Sequence, residues 1–191
     1  MAYLNSEQLK AMGFGSIGAN VLISDKASVY NAKKIKIGSN VRIDDFCIIS
    51  AGEHGIEIGN FVHIACYVSL IGNELIKVHD FVGISSRTAV YSSSDDYSGN
   101  FLMGPTIPNQ FKNVDSRPVV FENHTVIGAG SVILPGVTVA EGTAVGALSL
   151  VSKNLESWSI YIGSPIKFIK PRAKEMLQYV PFVLEQKTES K

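Results

Sequence analysis

Apolar residues recur at every sixth position along much of this chain. From Phe121 onward the markers are Phe121, Ile127, Ile133, Val139, Val145 and Val151, with no slip in register. The residue after a marker is often small, as at Gly128, Ala140 and Gly146. The residue four places after a marker is small or β-branched: Thr125, Ser131, Val137, Thr143 and Ser149. Shorter runs of the same period come earlier: Ile17, Ile23, Val29, then Ile37, Ile43, Ile49, then Ile58, Ile64, Leu70, then Val78, Ile84, Val90. Six is not a helical period. It is a multiple of the two-residue strand repeat, so markers six apart face one way along short strands. A turn after each strand lets three hexapeptides close a triangular coil, and a coil buries its apolar face only by stacking on the next. β-branched residues suit the strands, and Gly and Asn suit the corners. A β-sandwich would instead show alternation with irregular loop lengths. The pattern predicts an all-β parallel β-helix.

One domain, 1–191, is expected in three parts. Residues 1–15 form an N-terminal helical segment, with Asn5 as N-cap, Gln8 or Leu9 at the third position, and Gly13 ending the helix. The β-helix runs over 16–171. Residues 172–191 form a C-terminal helix and a polar, frayed tail. Ala173, Met176, Leu177 and Val180 stand at helical spacing there, and the helix is expected to cover the open end of the solenoid. An insert at 91–118 interrupts the coils, because Val90 and Phe121 lie 31 residues apart where neighbouring coils lie about 20 apart. It carries Tyr91, Tyr97, Phe101, Met103 and Phe111, too many apolar groups for simple disorder. It reads as an ordered arm that reaches a neighbouring subunit.

Composition narrows the function classes. Hydrophobic residues make up 46% of the chain, enough for one continuous core. Seventeen basic and seventeen acidic side chains cancel, so nothing points to a nucleic-acid partner. Cys47 and Cys66 make neither a disulfide framework nor a zinc cluster. Met1 to Gly15 lacks the pattern of a signal peptide, and no apolar run approaches a membrane span. A cytoplasmic protein without membrane contact is expected. No two histidines have a compact ligand spacing, so no metal is expected.

The stretch "IGAGSVILPGVTVAEGTAVGALSLVSKN", followed by "IYIGSPIKFIKPR", resembles the C-terminal coils of the hexapeptide-repeat acyltransferases. The resemblance covers roughly residues 15 to 170. It implies a left-handed β-helix, which general rules on crossovers would not suggest. It implies a homotrimer, with acetyl-CoA as acyl donor in a groove between two subunits. On this resemblance Ala129 lies beside the pantetheine and Ala147 lies one coil further on. Ser152 and Lys153 match the family's Thr-Lys pair. Lys167 and Lys170 match basic residues near the adenosine phosphates, although a solvated face would also account for lysines there.

The family's sugar O-acetyltransferases carry a histidine in a "GHP" segment after the middle coils. Here that place falls on "SSSDDYSG", and no histidine lies between His79 and His124. Asp95 and Asp96 stand there instead. A hydroxyl acceptor benefits from imidazole as a base, whereas an amine is intrinsically nucleophilic once deprotonated. A carboxylate can hold the ammonium form and relay its proton. The pair therefore points to a nucleotide-linked amino sugar as acceptor. It also fits an Asx turn that merely shapes the loop. The neighbourhood resembles enzymes that acetylate dTDP-4-amino-4,6-dideoxy sugars for surface polysaccharides such as the O-antigen of lipopolysaccharide. Arg87 and Tyr97 are the candidate substrate-binding residues. His54 is an alternative base from a neighbouring subunit. His63 and His79 could face the groove, and His124 reads as a satisfied surface residue. Two other activities stay open: O-acetylation of a sugar or serine, and a non-catalytic β-helical scaffold. A γ-carbonic anhydrase would need three metal histidines in a pattern that His54, His63 and His79 do not supply.

Overall fold

The computed structural model describes residues 2–185. Short strands stack in three parallel sheets, so the chain climbs as a triangular prism of about seven coils. The first face pairs Ser16, Lys36, Glu57, Lys77, Val120 and Thr138 in register. The second pairs Leu22, Arg42, His63, Gly83, Val126, Ala144 and Ile160. The third pairs Ser28, Ile48, Ser69, Ala89, Val132 and Leu150.

Each face buries the marker and the residue two before it, as strand alternation requires. From Ile37 to Val151 every marker of the sixfold pattern is buried. Ile17, on the terminal coil, keeps 37% exposure because no coil lies beneath it. The residues two before a marker include Thr125, Ser131, Thr143 and Ser149, all buried. Their hydroxyls sit next to corners, where carbonyls lack ladder partners. Ser131 and Ser149 both donate to the Gly146 carbonyl, at 3.2 and 2.7 Å, and Thr143 donates to that of Glu156 at 2.8 Å. Three of these four buried hydroxyls are thus satisfied by backbone that the turn leaves open, whereas the Thr125 hydroxyl has no hydrogen-bond partner.

The corners differ from the Gly and Asn expected of them. The first corner, between the first and second faces, has left-handed backbone at Asn20, Asn40, Phe61, Phe81, His124, Gly142 and Trp158. Only three of these seven positions, Asn20, Asn40 and Gly142, use Asn or Gly. The rings stack instead: Phe61 on Phe81 at 4.7 Å between centroids, and Phe81 on His124 at 5.1 Å. His124 is therefore not a surface residue. It is 9% exposed, held between Phe81 and Trp158.

Helix α1, Ser6–Ala11, begins as its sequence predicts. The Asn5 side chain accepts from the Gln8 amide at 2.9 Å, and the Gln8 side chain accepts from the Asn5 amide at 2.8 Å. At the other end the chain differs from expectation. Residues Glu175–Tyr179 form a 3-10 turn, and helix α2 covers Val180–Glu185. This segment does not close the open end. It lies along the flank, where Met176, Tyr179, Val180 and Val183 line an apolar cavity of about 450 Å³ with Phe61, Phe81 and His124. Arg172 holds it there by donating to the carbonyls of His124 and Gly142, both at 2.9 Å. The end of the solenoid is covered by the chain's own last turns. Leu155 bridges Val139, and Lys167–Pro171 folds back antiparallel on Ser159–Ile162. The tail beyond 185 lies outside the described residues.

Candidate active site

The second corner, between the second and third faces, forms a ridge that carries most of the candidate residues. In the fifth and sixth coils it reads Gly128-Ala129-Gly130 and Gly146-Ala147-Leu148. A Cβ on Gly128 would collide with the Ala147 amide, so these coils sit as close as bare backbone allows. The Leu148 amide donates to the Ala129 carbonyl at 2.9 Å, which places Ala129 and Ala147 on adjacent coils. Among the described residues, the Ala129 and Ala147 amides donate to no acceptor. Two N–H groups without an acceptor, beside an exposed Leu148 side chain, can receive the amide carbonyls of an extended ligand, or an oxyanion.

Ser86 continues the ridge one coil earlier, where its carbonyl accepts from the Gly130 amide at 2.9 Å. Arg87 follows it, with its guanidinium 5.3 Å from the centre of the Tyr67 ring. The Ser86 hydroxyl lies 3.3 Å from the Cys66 sulfur. Cys47, on the inner side, is buried, and burial pushes its thiol up to about 11. It stays protonated and unreactive at neutral pH.

The arm leaves the prism from the third corner, after Ser92, and returns at Val119. Its base is a two-stranded ribbon that pairs Ser93 with Ser116 and Ser94 with Asp115. The two aspartates are not equivalent. Asp96 accepts from the Ser98 amide at 2.7 Å, the Ser98 hydroxyl at 2.6 Å and the Asn113 side chain at 3.3 Å. These bonds, the Ser98 hydroxyl first, hold its carboxyl below the usual range. Asp96 thus makes the Asx turn and ties the two limbs of the arm. Asp95 makes one long contact, from the Gly104 amide at 3.2 Å, and is exposed. Tyr97 projects from the arm with 93% exposure. Within one chain the whole third face lies between the arm and the ridge.

The remaining candidates divide by position. Lys153 lines a cavity of about 350 Å³ with Asn154, Glu156, Tyr161 and Phe168. Lys167 and Lys170 lie on the same returning strand as Phe168, opposite Ile162 and Ile160. Ser152 and the three lysines are exposed at the same end of the prism. His54 lies in an insert between the third and first faces, 3.4 Å from Glu74, and His79 lines a groove with Lys36, Glu57 and Lys77. Neither is on the ridge. One polar cluster escaped the sequence reading. The buried Asp44 accepts from Arg42 at 2.6 Å and lies 2.8 Å from the His63 ring nitrogen. Arg42 and His63 are one coil apart, so the coil period could have paired them.

Among the described residues no three His, Cys, Asp or Glu side chains converge as metal ligands. Nor is any helix there long and apolar enough to cross a membrane.

A stacked β-helix with a Gly-Ala ridge is the frame of a hexapeptide-repeat acyltransferase. No family model matches the chain. It is 49% identical over 178 residues to the dTDP-4-amino-4,6-dideoxy-D-glucose acyltransferase of Escherichia coli, with 93% of each chain covered. The protein belongs to the family of that enzyme and is an acyltransferase. Solved structures agree. An alanine mutant of AntD, an N-acyltransferase from Bacillus cereus in complex with dTDP-4-amino-4,6-dideoxyglucose and coenzyme A, superposes with a TM-score of 0.93 at 49% identity. That match covers 97% of this chain and 98% of the other. AntD has also been solved with dTDP and 3-hydroxybutyryl-CoA, with a TM-score of 0.93 at 50% identity over 97% and 98% of the two chains. A galactoside acetyltransferase in complex with coenzyme A shares the fold at 18% identity, with a TM-score of 0.59 over 90% of this chain and 71% of that one.

Proposed function

We propose that the protein transfers an acetyl group from acetyl-CoA to the amino nitrogen of a dTDP-linked 4-amino-4,6-dideoxy sugar. The reading is carried by the match, over nearly the whole chain, to an N-acyltransferase bound to that amino sugar and coenzyme A. The product would serve surface polysaccharide synthesis, in the cytoplasm. The pantetheine arm lies along the Gly-Ala ridge, hydrogen-bonded by the Ala129 and Ala147 amides. Ser152, Lys153, Lys167 and Lys170 lie at the end of the prism where the adenosine phosphates emerge, and lysines there act as mobile point charges.

The acceptor amine attacks the thioester carbonyl carbon, the carbon–sulfur bond breaks, and the amine's proton passes to the departing thiolate. Amide and free thiol are the products, and no oxidant or metal enters the balance. A backbone amide of the ridge stabilises the oxyanion as it forms. Asp95 orients the amine from the arm. Since arm and ridge lie on different corners, the arm of one copy completes the ridge of its neighbour in a homotrimer. Much of the acceleration then comes from holding amine and thioester together.

The test is to supply dTDP-4-amino-4,6-dideoxyglucose with acetyl-CoA, and separately with 3-hydroxybutyryl-CoA, and follow thiol release and product mass. An acetamide product supports the proposal. No turnover with acetyl-CoA, but turnover with the longer acyl donor, would overturn the acetyl assignment. No amide with either donor would overturn N-acylation.

A further inference from the structure

The arm must hold a fixed angle to the prism if Asp95 is to meet a neighbour's ridge. Its root is anchored on both sides. Below, the buried Ser92 donates from its hydroxyl to the Glu74 carbonyl at 2.6 Å, and the Asn73 amide donates to the Ser93 hydroxyl at 3.3 Å. Across the root, the Arg117 amide donates to the Ser92 carbonyl at 3.0 Å. Above, the Arg117 guanidinium lies against Gly136, in the third corner of the next coil. A Cβ on Gly136 would stand 2.8 Å from Nη1 of Arg117, so the missing side chain is the seat that the guanidinium fills. The same guanidinium grips Asp115 as a fork, from Nε at 2.8 Å and from Nη2 at 2.6 Å. Asp115 is the register partner of Ser94, and Asp95 is the next residue. Contacts thus run from the prism through Arg117 and Asp115 to the residue beside Asp95.

We infer that Arg117 is a positioning residue for the transfer: it braces the arm against the prism and so sets where Asp95 stands. The inference rests on the function proposed above, in which Asp95 orients the amine. The side chains of Arg117 and Asp115 are about half exposed, at 58% and 48%. Exposed ion pairs generally contribute little to stability. A fork that closes on both carboxylate oxygens is the exception, because it fixes direction as well as charge. Direction is what this place needs. The ribbon's backbone pairing already joins its two limbs. The fork adds an aim, holding the guanidinium on Gly136 instead of leaving it to wander in water. Aim matters for catalysis, since a misplacement of about 1 Å can cost on the order of a hundredfold in rate.

The test uses the full-length protein with the amino sugar and acetyl-CoA. Arg117→Lys keeps the charge and loses the fork, and Asp115→Asn keeps the shape and loses the charge. Each should lower kcat/KM for the amino sugar about fivefold or more, with KM for acetyl-CoA and the thermal midpoint unchanged. A double-mutant cycle with Asp95→Asn supplies the readout that a merely structural role would not move. If Arg117 acts through Asp95, Arg117→Lys should cost less than about twofold once the Asp95 charge is gone. An equal loss in both backgrounds would overturn the inference. So would an unchanged kcat/KM in both single variants, or a loss that comes only with a lower thermal midpoint. In those cases a lower rate in Asp95→Asn alone leaves the proposed function standing. An Asp95→Asn protein as active as the wild type would overturn the role given to Asp95 above, and this inference with it.

Discussion

Asp95 and Asp96 look interchangeable in the sequence and are not in the structure. Asp96 spends both oxygens on Ser98 and Asn113, whereas Asp95 has one long backbone contact. Asp95→Asn should therefore lower kcat/KM with little change in folding, because it removes the charge that orients the amine. Asp96→Asn keeps one acceptor oxygen for the Ser98 turn, so its smaller loss should appear as a looser arm. Steady-state kinetics beside limited proteolysis would separate the two, and a larger kinetic loss at Asp96 would reverse the assignment. The folded-state pKa of Asp96 is depressed. Its contribution to arm order is thus present above the ordinary carboxylate pKa of about 3.9 and is lost as pH falls through the lower folded value. Asp96 does not titrate near neutrality, so activity between roughly pH 6 and 9 should rise with the free amine of the acceptor. A rate that falls across that range would contradict this.

At the scale of elements, the period of six was legible because it states a physical fact: positions two apart on each short strand point inward. Ile127, at the middle of that pattern, is fully buried. Ile127→Ala should cost about 2–5 kcal/mol, read from denaturant midpoints, because rigid coils above and below cannot collapse into the gap. The corners were less legible. Phe61, Phe81, His124 and Trp158 pay the local strain of left-handed backbone and recover it by stacking across coils, a gain that no window of neighbouring residues displays. The C-terminal helix was only partly readable, because the span Ala173–Tyr179 forms coil and a 3-10 turn and α2 begins at Val180. Its place was not, because the anchor at Arg172 depends on two carbonyls, 48 and 30 residues back in the chain. The arm has its own ribbon and turn, so joining Ser94 to Asp115 through a two-residue turn should leave the prism folded. Thermal unfolding should change little while transfer activity falls more than tenfold. Full activity without the arm would remove it from the site.

At the scale of the whole molecule, the Gly-Ala ridge and the shift from histidine to aspartate were both visible in the sequence, because each is a local string. The separation of arm and ridge by an entire face was not, since it depends on which corner each string falls on. That separation makes a site within one chain implausible on geometry and asks for a second copy. Light scattering should give about 62 kDa, three times the 20.6 kDa chain, and a stable monomer at micromolar concentration would contradict it. Co-assembly offers a sharper check. Asp95→Asn impairs the arm and Ala129→Trp blocks the ridge, so mixed oligomers should regain activity that neither variant has alone.

The central claim is that the acceptor atom is nitrogen. The most direct measurement compares two dTDP-4,6-dideoxyhexoses that differ only in an amine or a hydroxyl at the fourth carbon, at equal concentration with acetyl-CoA and this protein. The account predicts an amide from the first and, at most, slow ester formation from the second, because the arm offers carboxylates and no imidazole to activate an alcohol. Faster transfer to the hydroxyl partner would contradict it and would turn the search for a base to the His63–Asp44 pair.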